Sequence, residues 1–273
     1  MANDYKIILN LHPKPKKWLG QNFLKDGTIL NKIIEAIPND DNHIVEIGPG
    51  LGDLTRYLLV DKKVVAFEID KELVTHLEKK FERQIKANKL ELTNIDVLRH
   101  FHKGTLYDSS YNLVANLPYN IATNVLLRVL EDNNCKNIVA MVQKEVASKF
   151  VADVADRSYG SLSILCQSAC VSRQIVVDVP KECFIPQPKV SSAVIYLQKL
   201  KCPQTTSLEY KKFLKICFNA NRKTILNNLS KNYKKTNILS VLNSLFIRPN
   251  KRPHEVSLGQ YDNIYKYLKE NDD

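Results

Sequence analysis

Between residues 43 and 142 short apolar runs alternate with amphipathic stretches, and that order constrains the fold more than any other feature of the chain. Residues 43–47, 63–67, 90–93, 111–115 and 137–142 read as strands, and residues 51–59, 71–81 and 121–130 as helices. A helix over 27–37 precedes them, with Ile29, Leu30, Ile33, Ile34 and Ile37 at helical spacing and Pro38 as its stop. Such a β-α-β-α order calls for a parallel sheet covered on both faces, with ligands at the carboxyl ends of its strands. Beyond 145–152 the β-branched runs 174–179 and 190–197 flank the Pro-rich "PKECFIPQPK", a long hairpin that adds an antiparallel edge. From about Cys202 the spacing is helical only. The expected architecture is a Rossmann-like α/β domain over 1–200, followed by a small all-helical domain over 201–273.

Chemistry-bearing residues fall where this topology would put a ligand. The first strand of the alternation runs into "VEIGPGLGDLT", residues 45–55. A dinucleotide fingerprint would want its third glycine one place later, where Asp53 stands, so G-x-G-x-G with Pro49 inside argues against NAD. Gly48, Gly50 and Gly52 allow close backbone approach to a ligand. The second strand ends in "AFEID", placing Glu68, with Ile69 beside it, where a carboxylate can accept from both hydroxyls of a ribose. The third leads to "NIDVL", where Asp96 can accept from the exocyclic amine of an adenine while the Val97 backbone supports the ring edge. Singly, Glu68 or Asp96 is more often a solvated loop carboxylate. Together, in this order, they describe a pocket for an adenosine with a zwitterionic tail and no pyrophosphate, a description that S-adenosylmethionine fits.

The fourth strand ends in "ANLPYN", residues 115–120, beside the expected position of a sulfonium methyl. Turn formers alone would explain an end of strand there. A chemical reading also fits. The exocyclic amine of adenine is a poor nucleophile because its lone pair is conjugated into the ring. The Asn116 side-chain carbonyl and the Leu117 backbone carbonyl, accepting its two hydrogens, would favour a pyramidal, nucleophilic nitrogen. Pro118 would hold those acceptors in place and Tyr119 could stack on the base. No metal is needed for this chemistry.

The formal charge of +11 is unevenly distributed, since residues 199–273 carry 15 Lys or Arg against 6 Asp or Glu. A polyanionic partner for the C-terminal quarter is one implication and a solubilising basic surface the other. Six cysteines without a C-x-x-C pair point to reduced, mostly buried thiols rather than a zinc site. The N-terminal segment "MANDYKIILNLHPKPKKW" lacks the pattern of a secretory or transit signal, and no apolar run approaches the roughly 20 residues needed to span a bilayer. A soluble, cytoplasmic, monomeric protein without membrane contacts is expected.

Taken with "KKWLGQNFL" at 16–24, "MVQKEVASKF" at 141–150, "YGSLSIL" at 159–165, "FIPQPKVSSAV" at 184–194 and "FNANRKTILNNL" at 218–229, these motifs resemble the ribosomal RNA adenine N6,N6-dimethyltransferase family along nearly the whole chain. The resemblance implies a class I methyltransferase sheet using S-adenosyl-L-methionine. The substrate it implies is two adjacent adenosines in the 3′-terminal hairpin of small-subunit ribosomal RNA, presented in a pre-30S-type particle. It also implies that Asn22 and Leu24 close over the cofactor and that Phe184 packs on the target adenine opposite Tyr119, although Phe184 alone would more often be core. Arg222, Lys223, Lys251 and Arg252 are the expected RNA contacts. Three places depart from the family pattern: Ser191 stands for an acidic residue, Lys149 for Arg, and Val154-Ala155-Asp156 for a Pro-Gly loop. Two alternatives remain at this point, a large-subunit adenine methyltransferase of the macrolide-resistance kind and a non-catalytic RNA-binding assembly factor.

Overall fold

Strands that bury side chains on both faces need cover on both, and the main sheet is built around three of them, His43–Ile47, Val64–Glu68 and Tyr111–Asn116. A computed structural model describes residues 13–101, 104–201 and 206–271. The N-terminal residues 1–12 and Cys202, on which some sequence readings fell, lie outside the described residues. A 3-10 turn (Lys17–Leu19) and β1 (Phe23–Leu24) lead into α1 (Gly27–Glu35), whose N-terminus is capped by Asp26 accepting from the Thr28 and Ile29 N–H groups. There follow β2 (His43–Ile47), α2 (Asp53–Leu58), β3 (Val64–Glu68), α3 (Lys71–Lys80), α4 (Glu82–Lys86), β4 (Leu90–Asn94), α5 (Val97–His100), β5 (Tyr111–Asn116), α6 (Ala122–Glu131) and β6 (Cys135–Gln143). Then come α7 (Lys144–Val151), α8 (Ser161–Ala169), β7 (Cys170–Val179), β8 (Phe184–Ile185) and β9 (Ser192–Lys199). The chain closes with α9 (Leu208–Cys217), α10 (Ile225–Leu229), α11 (Lys235–Ser244), a 3-10 turn (Pro253–Glu255) and α12 (Leu258–Glu270).

The main sheet has the order β4-β3-β2-β5-β6-β9-β7. Its first five strands run parallel, and β9 is antiparallel to both β6 and β7. The hairpin expected from the β-branched runs is therefore present, with its second strand inserted next to β6 and its first at the edge. Within the Pro-rich connection, β8 pairs antiparallel with β1, setting Leu24 opposite Phe184. That second sheet has only two residues per strand, too short to leave a periodic signal.

The chain divides into two compact units, one of Met1–Ala147 with Cys170–Pro203 and the other of Ser148–Ala169 with Gln204–Asp273. The linear division at residue 200 thus differs from the packing: Ala152, Tyr159 and Ile164 share an apolar cluster with Tyr210, Phe213, Leu229, Leu242 and Ile264. In that second unit Ala155 sits at φ 76, its N–H donating to the His254 carbonyl at 2.8 Å, so the loop where the family carries Pro-Gly does hold a left-handed residue.

In the first unit the turn between β2 and α2 is tightly packed. Gly52 is the N-cap of α2 at φ 78, and a Cβ there would lie 2.5 Å from the Phe81 ring and 2.8 Å from Leu77. At Gly50 a Cβ would come within 3.0 Å of the Phe23 ring. These glycines are demanded by neighbouring side chains, a requirement separate from ligand clearance. Replacing Gly52 by Ala should lower stability by about 1–3 kcal/mol, from left-handed strain and overpacking together, and thermal denaturation at neutral pH would measure it. An unchanged midpoint would mean that Phe81 relaxes freely.

Candidate functional site

The carboxyl ends of β2, β3 and β5, the Asp96 turn after β4 and the segment 18–24 enclose a cavity of about 290 Å³ in the first unit. Asn22, Leu24, Gly48, Gly50, Glu68, Ile69, Asp96, Val97, Asn116, Leu117, Pro118 and Tyr119 all line it. Widely separated strand ends converge because parallel strands with right-handed crossovers place every β-to-α turn on the same edge of the sheet.

Glu68 is 4% exposed and is held from two sides, its Oε2 accepting from the Gly50 N–H at 3.1 Å and its Oε1 from the Asp70 N–H at 2.9 Å. Burial raises its pKa, and these two backbone donors oppose the rise. Each oxygen keeps a further lone pair for a hydroxyl donor. Asp96 caps α5 by accepting from the Leu98 N–H at 3.0 Å and lies 3.5 Å from the Arg99 Nε. Neighbouring Val97 is buried, whereas Ile69 is 47% exposed on the cavity rim.

Asp70 ties the N-terminal segment to this floor. Its carboxylate accepts from the Lys16 Nζ at 2.7 Å and from the Gln21 Nε2 at 2.9 Å, while the Lys16 N–H donates to the Gln21 Oε1 at 2.7 Å. Burial works against ionisation of Asp70, yet Lys16, Gln21 and the Glu72 N–H together hold its pKa below the ordinary carboxylate value. Neither Lys16 nor Asp70 stands out in the sequence as a site residue, because their pairing spans 54 positions and leaves no local pattern.

Asn116 ends β5, and its Nδ2 donates to the Asn22 carbonyl at 3.0 Å. Only an amide nitrogen can donate there, so the orientation of the group is fixed and Oδ1 remains as its acceptor. The Leu117 N–H donates to the Met141 carbonyl at 3.1 Å, and the Pro118 carbonyl accepts from Ile121 and Ala122 at the start of α6. Tyr119 is half-buried, with its hydroxyl 2.6 Å from the Ser192 Oγ; burial raises its pKa, so the phenol stays neutral. Phe184 stands elsewhere. It is 2% exposed, belongs to the main apolar core beside Leu24 and is not among the residues that line the cavity.

Glu46 also lines the cavity, a residue for which the sequence motifs suggested no role. It is 1% exposed, and its Oε2 has no hydrogen-bond partner. Burial pushes its pKa from 4.5 to about 8, with the charge of Glu68 adding to the rise and the Thr55 hydroxyl offsetting part of it. An acidic residue in the mostly apolar strand "HIVEI" was the available signal, because burying a carboxyl group is costly unless a partner answers it.

In the second unit, Arg222 and Lys223 are exposed on the loop before α10. Buried Asn228 braces that loop, its Oδ1 accepting from the Ala220 N–H at 2.9 Å and its Nδ2 donating to the Ala220 and Thr224 carbonyls at 3.1 Å. The Ile225 N–H donates to the Lys251 carbonyl at 2.7 Å, which brings Lys251 and exposed Arg252 beside the same loop.

A parallel sheet with this strand order, a glycine turn after its first parallel strand, a buried carboxylate after the second and N-L-P-Y after the fourth define a class I, S-adenosylmethionine-dependent methyltransferase. The chain belongs to the ribosomal RNA adenine dimethylase family, whose sequence pattern matches residues 13–270. Two curated relatives named ribosomal RNA small subunit methyltransferase A come from Aliarcobacter butzleri and Sulfurimonas denitrificans. The first is 46% identical over 94% of this chain and 97% of its own length. The second is 48% identical over 93% and 94%. Among solved structures, a dimethyladenosine transferase from Plasmodium falciparum superposes with a TM-score of 0.75 at 28% identity, covering 91% of this chain and 98% of that one. The 23S rRNA methyltransferase ErmE shares the fold, with a TM-score of 0.68 at 24% identity over 90% of this chain and 99% of its own.

Because the folded-state pKa of Glu46 lies above its unfolded value, the folded protein keeps a proton that the unfolded chain releases. Its contribution favours folding most below about 4.5, declines as pH rises and levels off above about 8. Glu46→Gln should remove that decline, so the variant should gain stability over the ligand-free wild type at pH 8 more than at pH 5. Denaturant titrations at the two pH values would check this, and equal differences at both would reject the assignment.

Proposed function

We propose that this chain transfers methyl groups to N6 of two adjacent adenosines in the 3′-terminal hairpin of small-subunit ribosomal RNA, acting in the cytoplasm as a monomer on a pre-30S-type particle. The observation that carries the reading is the Asn116 amide, whose nitrogen is committed to the Asn22 carbonyl while Oδ1 is left as an acceptor on the cavity wall beside Tyr119. The family membership and the names of the 46% and 48% identical relatives favour the small-subunit substrate over a large-subunit one. Retention of Glu68, Asp96 and the whole N-L-P-Y segment favours an enzyme over a binding-only factor.

The residues present fit the cofactor. Glu68 keeps acceptor capacity for a ribose diol, Asp96 and Val97 stand where an adenine edge would be held, and the partnerless buried Oε2 of Glu46 calls for a donor or a cation. S-adenosylmethionine supplies the activated methyl group. Gly48 and Gly50, with Asn22 and Leu24 above them, would close the cavity against water. Asn116 and the Leu117 carbonyl would accept the two N6 hydrogens, leaving the nitrogen lone pair available, and Pro118 fixes both acceptors. The Tyr119 ring would carry one face of the base.

The basic loop of the second unit would hold the folded RNA while one adenine enters the cavity. Its presentation is rigid, since Asn228 and the Ile225-to-Lys251 hydrogen bond fix the backbone on either side. Its exposed charges suit phosphates.

Two outcomes test the reading. Asn116→Ala should lower methyl transfer to unmethylated small-subunit particles by roughly a hundredfold, about 3 kcal/mol at the transition state, with calorimetric affinity for S-adenosylmethionine largely kept. Turnover near wild type would sink the role given to its carbonyl. Reversing Arg222 and Lys223 together to Glu should weaken binding to the same RNA and reduce its logarithmic salt dependence by about one unit for each phosphate no longer neutralised. Unchanged affinity and slope would leave these two residues as solubilising charges only.

A further inference from the structure

Phe246 occupies a position that should cost the protein stability. It follows α11, and the hydrogen bonds there are those of a Schellman motif: the Ile247 N–H reaches the Leu242 carbonyl at 2.8 Å and the Phe246 N–H reaches the Asn243 carbonyl at 3.1 Å. Leu242 and Ile247 are both buried in the core of the second unit, so the reversal of the chain is locked from below. The motif requires a left-handed residue at its turn, and Phe246 takes it at φ 55. Glycine adopts that conformation without strain, whereas a bulky side chain does not. The ring gains nothing in return within the fold, being 94% exposed, the most exposed large apolar side chain among the described residues.

The surroundings of the ring indicate what would cover it. Its sequence neighbours Asn243, Ser244, Arg248 and Asn250 are polar and exposed, and Leu242 and Ile247 are buried, so the ring has few exposed apolar neighbours along the chain. From Lys231 to His254 the sequence contains six Lys or Arg and no Asp or Glu. An exposed aromatic ring in a stretch of chain rich in cations and without acidic residues suits a partner that offers a planar π-face beside phosphates.

We propose that Phe246 is a base-stacking contact, its ring receiving an unpaired nucleotide of the ribosomal RNA substrate on the second unit. This rests on the RNA-directed reading above and adds to it a specific anchor remote in sequence from the methyl-transfer residues. The left-handed turn aims the ring outward and the buried Leu242–Ile247 pair keeps it there, so little conformational entropy is sacrificed on binding.

Stability and binding should then move in opposite directions. Phe246→Gly relieves the turn and should raise the melting temperature by about 2–4 °C. The same variant should bind protein-free, unmethylated small-subunit rRNA roughly tenfold more weakly. Its salt slope should be unchanged, because every cation that neutralises a phosphate is still present, and its affinity for S-adenosylmethionine should be that of the wild type. Phe246→Trp should retain the RNA affinity. Wild-type RNA affinity in Phe246→Gly would overturn the proposal. So would a weakening seen with intact small-subunit particles and not with protein-free rRNA, which would assign the ring to a protein partner. Absence of methyl transfer by the wild-type chain would count against the enzymatic reading instead, and the binding comparison distinguishes the two failures.

Discussion

Three left-handed residues within five positions, Gly48, Gly50 and Gly52, fold the end of β2 back so that the Gly50 N–H meets the Glu68 carboxylate at the end of β3. That contact joins the first two parallel strands at the edge where a ligand would lie. The turn is packed from behind by Phe23, Leu77 and Phe81, so its geometry is set by the core as well as by the backbone preference of glycine. Glu68 in turn accepts from the Asp70 N–H, and Asp70 gathers Lys16 and Gln21. A continuous set of hydrogen bonds therefore runs from the glycine turn to the segment that lines the other side of the cavity. Asn116 closes the circuit through the Asn22 carbonyl.

This arrangement concentrates acidic groups in a small space. Glu46 and Glu68 are both buried, both have raised pKa values, and the charge of Glu68 is one cause of the rise at Glu46. Glu68 is compensated by two backbone donors, whereas one oxygen of Glu46 is not compensated by any. Binding sites commonly keep such an imbalance because a ligand supplies the missing partner. The acidic floor is consistent with a cofactor that carries positive charge at both its sulfur and its amino group.

The second unit solves a different problem. It is held by an aromatic-rich core in which Phe213 contacts Tyr210, Tyr233, Tyr261 and Tyr265 at ring-centroid distances of 5.3 to 6.3 Å. Rigid internal packing lets its surface carry an excess of like charge, whose mutual repulsion would loosen a weaker fold. Two features of that surface are fixed by backbone hydrogen bonds, the loop with Arg222 and Lys223 and the turn with Phe246.

The sheet and much of the cavity lining were legible in the sequence, since strand periodicity and the turn residues after each strand are local properties. Parallel topology then places those turns on one edge, so Glu68, Asp96 and Asn116 could be grouped without coordinates. Other features depend on contacts across long stretches of chain and leave no local pattern. Phe184 has a place against the target base only through the family resemblance and by itself would more often be core; pairing of its strand with β1 is what sets it in the core here. Residues 148–169 read as part of the N-terminal domain until their apolar faces find the C-terminal helices. Glu46 becomes a buried acid without a full set of partners only when β3 and α2 close around it. Phe246, an ordinary apolar residue in a helical pattern, is turned outward because burial of its neighbours Leu242 and Ile247 fixes the backbone between them, and one residue in that geometry must face the solvent.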